Sequence, residues 1–198
     1  MTGLLSRIEA ADIAVAKATA PVEDTVLGRA VGKLGKLGDQ PPMITLALLT
    51  AAAGVLRNDR RLARAGVRML IAHALATGMK ALVKRSVDRS RPSLLLERGH
   101  YEAHPGGSDD HDMTSFPSGH TAGVIAVARA FSRDYPEYAA TGAAAALGLS
   151  LIQVPRRAHY MSDVVAGAAL GLMSEAIVAA IWPEADQPGP TDASPSDR

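Results

Sequence analysis

The stretch Tyr138–Pro155, YAATGAAAALGLSLIQVP, decides the fold class: it carries no charge and reaches the length expected of a bilayer span. Its Ala- and Gly-rich composition favours closely packed helices over a sheet sandwich. Four further apolar segments share this character: Pro42–Leu56, Val67–Val83, Thr121–Phe131 and Val164–Trp182. Pro42–Leu56 comes close to spanning length, whereas Lys80, Arg129 and Glu175 interrupt the other three. A soluble Ala-rich bundle and a membrane bundle both fit this pattern. In the membrane reading the few charges sit at helix ends or face the bundle interior.

Loop charge favours the membrane. Arg57, Arg60, Arg61, Arg64 and Arg68 crowd the connection between the first two segments, which assigns that connection to the cytoplasm. Counting spans from there, Lys84–Gly119 and Arg156–Ser162 face outward, while Ser132–Glu137 and the C-terminal tail face inward. The chain is thus expected to be an all-α membrane bundle of about five spans over residues 41–182. An amphipathic N-terminal region, 1–40, precedes it, and a disordered Pro-, Asp- and Ser-rich tail, 183–198, follows. In the N-terminal region Leu4, Leu5, Ile8, Ile13 and Val15 alternate with charges up to Pro21, and a second helix runs from Val26 to Leu37, ending near Gly38. Arg7, Glu9, Asp12 and Lys17 leave no continuous apolar run to act as a secretory leader. The absence of cysteine removes disulfides, thiol nucleophiles and cysteine-bound zinc. A net charge of +1 provides no global field for nucleic acid.

Three short motifs stand at the outward boundaries. In Lys84–Pro92, Lys84 and Arg91 are two helical turns apart and would project from one face. Pro92 places Arg91 at a helix end, and two cations there suit a phosphate. A basic helix end with Lys84 paired to Asp88 is the plainer reading. In Phe116–Thr121, Ser118 can cap a helix and Gly119 lets a ligand approach the backbone. The helix N-terminus binds anions, and its positive pole acts on His120. An ordinary Pro-Ser helix start would look the same. In Arg156–Asp163, His159 and Asp163 are four apart. If the helix begins there, Asp163 accepts the Nδ1–H and leaves Nε2 as a nucleophile. A surface pair is the alternative.

Lys-x6-Arg-Pro, Pro-Ser-Gly-His and His-x3-Asp, in this order and on one expected side, resemble the type 2 phosphatidic acid phosphatase superfamily, which includes lipid phosphate phosphatases and undecaprenyl-diphosphatase-like bacterial membrane proteins. The resemblance covers roughly Val67–Gly171. It implies His159 as nucleophile through a phosphohistidine intermediate, Asp163 as its orienter and His120 as the acid. Lys84, Arg91, Ser118 and Gly119 would hold the phosphate, with no metal and no cofactor. The family's third motif usually reads Ser-Arg-x5-His, but Ile152 and Gln153 stand at the first two positions. Arg156 or Arg157 is expected to supply the missing cation.

The substrate so implied is a membrane lipid phosphate, and the bilayer itself a partner; nucleic acid is not. The expected location is the bacterial cell membrane with the site facing outward. Two other readings share the scaffold: a non-enzymatic lipid-phosphate-binding relative and a vanadate-dependent haloperoxidase. His100, His104 and His111 with Asp109, Asp110 and Asp112 have irregular spacing and read as a solvated loop rather than a metal site.

Overall fold

The computed structural model describes residues 2–183. The segment 184–198, where a disordered tail is expected, lies outside the described residues. Eight helices in chain order carry the architecture: α1 Thr2–Glu23, α2 Val26–Gly35, α3 Gln40–Leu56, α4 Arg60–Lys84, α5 Pro92–Arg98, α6 Gly119–Asp134, α7 Ala139–Leu151 and α8 Met161–Ile181. Local chemistry sets their starts. The Thr25 hydroxyl accepts from Gly28 N–H, Asp59 from Leu62 N–H and Ser118 from Thr121 N–H, each capping the helix that follows. Pro41 and Pro92 sit in first turns, where a missing N–H costs nothing.

α4, α6 and α8 form the centre, with α3 against α4 and α7 against α6. Small side chains set the spacing. Ala72, Ala76, Ala126 and Ala130 are fully buried. A Cβ at Gly167 would stand 2.4 Å from the Ser118 carbonyl, and one at Gly171 2.6 Å from that of Ala122. α8 therefore lies against α6 backbone to backbone, as the Ala- and Gly-rich composition anticipates. The outer flanks are apolar: Leu46, Leu49, Leu147, Leu172 and Ile177 are all exposed. Such a surface suits lipid, not water.

α4 and α8 are long and apolar enough to cross a membrane, and only 33% of each apolar stretch is buried within the protein. The segment chosen from sequence as the clearest span behaves otherwise. α7 ends at Leu151 after 13 residues, giving about 20 Å of helix at the standard rise, short of a bilayer core. From Ile152 to Ala158 the chain turns instead, with Pro155 unable to donate to the helix ladder. The two spanning-length helices are ones whose charges had counted against them; those charges are paired or gathered at helix ends and facing surfaces. Glu175 of α8, 2% exposed, meets Arg133 of α6 at 2.7 Å and Arg129 at 4.0 Å. Four of the five clustered arginines belong to the opening turns of α4 rather than to a loop, and Arg57 alone of the five precedes the helix.

One element departs from the all-α expectation. Between α4 and α6 the chain forms a short antiparallel hairpin, β1 Val87–Arg89 against β2 Ala103–Pro105, with α5 between its strands. It folds the long connection back over the end of the bundle where α4 stops and α6 begins.

Candidate active site

The start of α3, the last turns of α4, the start of α6 and the residues Arg91 and His159 enclose a polar cavity of about 190 Å³. Lys84, Arg91, Gly119, His120 and His159 all line it. A wider opening of about 450 Å³ shares Asp39, Arg91, His120 and His159 and adds Gln153, Arg156 and Arg157. The largest cavity, about 550 Å³, is apolar, lined by Leu46, Leu49, Phe131 and Leu149 on the flank of α3 and α7, and holds none of the expected site residues. The smaller polar one has the chemistry.

Lys84 and Arg91 converge here by a different route from the one-helix geometry expected. α4 stops at Lys84, β1 intervenes, and Arg91 caps the next helix in an extended conformation, as the residue before a proline should. Lys84 Nζ donates to the Thr114 carbonyl, not to Asp88. Asp88 instead accepts from Ser108 N–H at 2.7 Å. Arg91 is braced by the carbonyls of His111, 2.8 Å, and Ala158, 3.3 Å. Both cations are thus fixed by neutral carbonyls rather than by carboxylates. Gly119 opens α6 beside them. Ser118 is fully buried and its hydroxyl is spent on Thr121, so it shapes the helix start without lining the cavity.

His159 lies just before α8, whose cap is Tyr160, so Asp163 reaches it as an ion-pair contact rather than through a helical hydrogen bond. Nδ1 instead hydrogen-bonds to the Ser115 carbonyl at 2.8 Å, and Asp163 Oδ2 stands 3.9 Å away, beyond hydrogen-bond reach. A carbonyl can only accept, so Nδ1 carries the proton and Nε2 keeps its lone pair. Burial holds the His159 imidazole below its ordinary value; Asp163 pulls the other way, and Arg91 and Lys84 reinforce the burial. A neutral imidazole is the state a nucleophile needs.

Asp163 is fully buried and acts at one remove. Its oxygens accept from Ser115 Oγ at 2.6 Å, Tyr160 N–H at 2.8 Å and Arg89 Nη1 at 2.6 Å. Ser115 therefore holds the carboxylate with its side chain and the imidazole with its carbonyl. Arg89 also reaches Asp12 of α1 at 2.8 Å and lies over the Tyr160 ring at 4.4 Å. Asp12 in turn accepts from Ser162 N–H at 3.0 Å, tying the N-terminal helix to the start of α8.

His120 has a partner absent from the sequence reading. Asp39, just before α3, places Oδ1 3.2 Å from Nδ1. Gly38 beside it permits the approach, since a Cβ there would stand 2.2 Å from Nε2. Arg156 and Arg157 part company. Arg157, at φ 57, turns to Glu23, Asp24 and the Ala20 carbonyl of the N-terminal region. Arg156 donates to Gln153 Oε1 at 3.3 Å and makes no ion pair among the described residues.

Arg89, inside the Lys84–Arg91 stretch, and Ser115, one residue before Phe116, were adjacent to motifs and legible in principle. Nothing in the sequence connects Asp12 or Asp39 to residues so distant. Lys80 also lines the cavity, one turn before Lys84, a spacing visible in the sequence but read as an interruption of a span.

Cations that make no ion pair among the described residues, a helix N-terminus and two histidines at one cavity, on a bundle with an apolar exterior, make up a phosphate-ester hydrolase working at a membrane. The chain belongs to the PAP2 superfamily, whose model matches residues 65–186. It is 32% identical over 167 residues to a lipid A 1-phosphatase of Rhizobium etli, covering 77% of this chain and 72% of that one. It is 36% identical over 146 residues, 68% of each chain, to a decaprenylphosphoryl-5-phosphoribose phosphatase of Mycobacterium tuberculosis. A transmembrane PAP2-type phosphatidylglycerolphosphate phosphatase from Bacillus subtilis shares the fold, with a TM-score of 0.65 and 18% identity over 88% of this chain and 86% of that one.

Proposed function

We propose that this protein hydrolyses the phosphate of a membrane lipid through a phosphohistidine on His159, with His120 protonating the leaving oxygen. The observation that carries this reading is the Ser115 bracket. It donates to Asp163 and accepts from His159 Nδ1, which leaves Nε2 as the lone-pair nitrogen at the cavity. Attack by Nε2 on phosphorus forms the N–P bond as the P–O bond to the lipid breaks. His120, held by Asp39, delivers its proton to that oxygen. Water then attacks the phosphohistidine and releases phosphate.

Lys84, Arg91 and the backbone N–H groups at Gly119 neutralise the equatorial oxygens, which is most of what phosphoryl transfer requires. Arg156 supplies the charge that Gln153 lacks. Asp163 orients the nucleophile through Ser115. The similarity to a lipid A 1-phosphatase and to a decaprenylphosphoryl-5-phosphoribose phosphatase supports a lipid phosphate here.

Topology belongs to the same proposal: the apolar helices α3, α4, α6, α7 and α8 lie in the membrane, α4 and α8 being long enough to cross it, with the arginine-rich start of α4 in the cytoplasm and the site on the outer face. A cysteine at Ser108 should react with impermeant reagent from outside and one at Asn58 should not; reversed labelling sinks the orientation. The function is tested by phosphate release from a panel of lipid phosphates with EDTA present. Release that EDTA abolishes, or none from any lipid, overturns the reading. Bromide oxidation with vanadate would instead support the haloperoxidase alternative.

A further inference from the structure

Three stripes run along α2 and the helical turn that follows it, Lys36–Gly38, each at helical spacing. Gly28, Gly32 and Gly35 face the protein. A Cβ at Gly35 would stand 2.9 Å from Ile152 Cγ2 and 3.0 Å from Arg156 Nη1, and one at Gly32 3.7 Å from Arg156 Cγ. Val26, Leu27, Leu34 and Leu37 face away from it, the first two 78% and 73% exposed. Arg29, Lys33 and Lys36 run beside this apolar stripe and are exposed as well.

We propose that the exposed face of α2 docks on the headgroups of anionic phospholipids, and that docking secures the part of the site that α2 backs. An apolar stripe edged by cations is the pattern of a helix that lies in a membrane interface rather than across it. The charge is one-sided: no acidic residue lies between Thr25 and Gly38, and none of the three cations makes an ion pair among the described residues. The acids just before and after are committed, Glu23 and Asp24 to Arg157 and Asp39 to His120. A surface of negative headgroups supplies the missing counter-charge. Two copies of the chain meeting through this face would instead bring two such basic clusters together.

Position agrees with charge. Two residues after Gly38 the chain enters α3, whose exposed Leu46 and Leu49 belong to the apolar exterior of the bundle. Leu34 and Leu37 thus stand where that exterior begins. On its protein side the same helix touches the site twice. Its glycines lie over Arg156, and it leads into Gly38, against the His120 ring, and Asp39, 3.2 Å from His120 Nδ1. A lipid that binds the docked arrangement raises its population, and with it the fraction in which His120 and Arg156 are both held. This coupling, unlike the docking, rests on the phosphatase reading.

Depth is measured first, on the full-length protein in nanodiscs of phosphatidylcholine with and without phosphatidylglycerol. A nitroxide on Leu34→Cys should become more accessible to oxygen and less to a water-soluble nickel chelate as phosphatidylglycerol is added. The same label on Asp109→Cys should favour the chelate in both. Arg29→Gln/Lys33→Gln/Lys36→Gln should remove the response, since each cation favours an anionic surface about fivefold. A label on Leu34→Cys that stays in water, or lies equally deep in both nanodiscs, overturns the docking. Loss of access to both probes with a doubled mass in light scattering would make a second copy the occupant, and overturns it too. Activity is measured second, on one lipid phosphate in the same nanodiscs. Phosphatidylglycerol should raise kcat/KM in the wild type, with a half-saturating fraction about fivefold higher in Lys33→Gln and no change in the rate without it. The gain should shrink for p-nitrophenyl phosphate, whose leaving group needs little help from His120. A wild-type rate indifferent to phosphatidylglycerol, or an equal gain in the triple variant, overturns the coupling. Should no phosphate ester be hydrolysed, the phosphatase reading falls, and the depth measurement still decides the docking.

Discussion

The two ends of the bundle both gather arginines and lysines, and they treat them oppositely. At the end where α4 begins, Arg61 meets Glu137 at 3.1 Å, Arg64 meets Asp134 at 2.5 Å, and the fully buried Arg68 lies 3.6 Å from Asp134 and donates to the Trp182 carbonyl at 2.7 Å. Each of these cations has a carboxylate of its own fold. At the opposite end, which holds the site, Lys80, Lys84, Arg91 and Arg156 make no ion pair among the described residues; three of them rest on neutral oxygens instead. Arg89, with Asp12 and Asp163, and Arg157, with Glu23 and Asp24, are exceptions there, and Arg89 braces the cavity rather than lining it. Paired cations hold helices together, whereas cations kept from carboxylates are available to an anion from outside.

The sharpest way to break this comparison is at the nucleophile. His159→Ala should abolish turnover, by about 10⁴-fold or more, and prevent an acid-labile phosphoenzyme on acid quench. A phosphoenzyme that persists in this variant would move the nucleophile elsewhere. Next comes the end where α4 begins, where the effect should be on stability. Asp134→Asn strips the counter-charge from Arg64 and Arg68 and should cost about 3–5 kcal/mol, the range for breaking a buried pair. Thermal unfolding in detergent would read it, and kcat of the folded fraction should hold. A stability loss at or below that of an exposed pair would mean that these charges are not structural.

Arg156 and Arg157 sharpen the contrast within two adjacent residues. Arg156→Ala should lower kcat about 10²–10³-fold, the usual loss for one preorganised donor, while Arg157→Ala should mainly loosen the N-terminal helices. Gln153→Arg should partly rescue Arg156→Ala. Full activity in Arg156→Ala would leave Gln153 as the donor. The smallest effect is in pH. Burial lowers the His159 value, so the neutral nucleophile persists below the ordinary imidazole range, and the acid limb of kcat/KM should lie under pH 6.5. Asp163 raises that value, so Asp163→Asn should move the limb further toward acid on the same substrate. A shift toward neutral pH would show that another group titrates.

The helical class, the order of motifs and their place at helix boundaries were readable from residues 67–171, because each depends on local spacing and on proline, glycine and serine chemistry at helix starts. Close helix packing was legible from the alanine and glycine content, but not which helices it joins. Charge counted without partners understated Val164–Trp182, whose Glu175 is neutralised by Arg133 across the bundle, while the uncharged Tyr138–Pro155 forms a helix of 13 residues followed by turns. Pairing is a tertiary event, and no window of sequence contains both members.

The same reason divides the site. Sequence by itself determined which residue types gather at the cavity: Lys84, Arg91, Gly119, His120 and His159, each beside a helix break. Only the tertiary structure decided how they are held. It gave His159 a carbonyl of Ser115 in place of Asp163, gave His120 the carboxylate of Asp39, and sent Arg157 to the N-terminal helices. A hydrogen bond selects its partner by position in space, and positions this far apart along the chain meet only after the helices have packed.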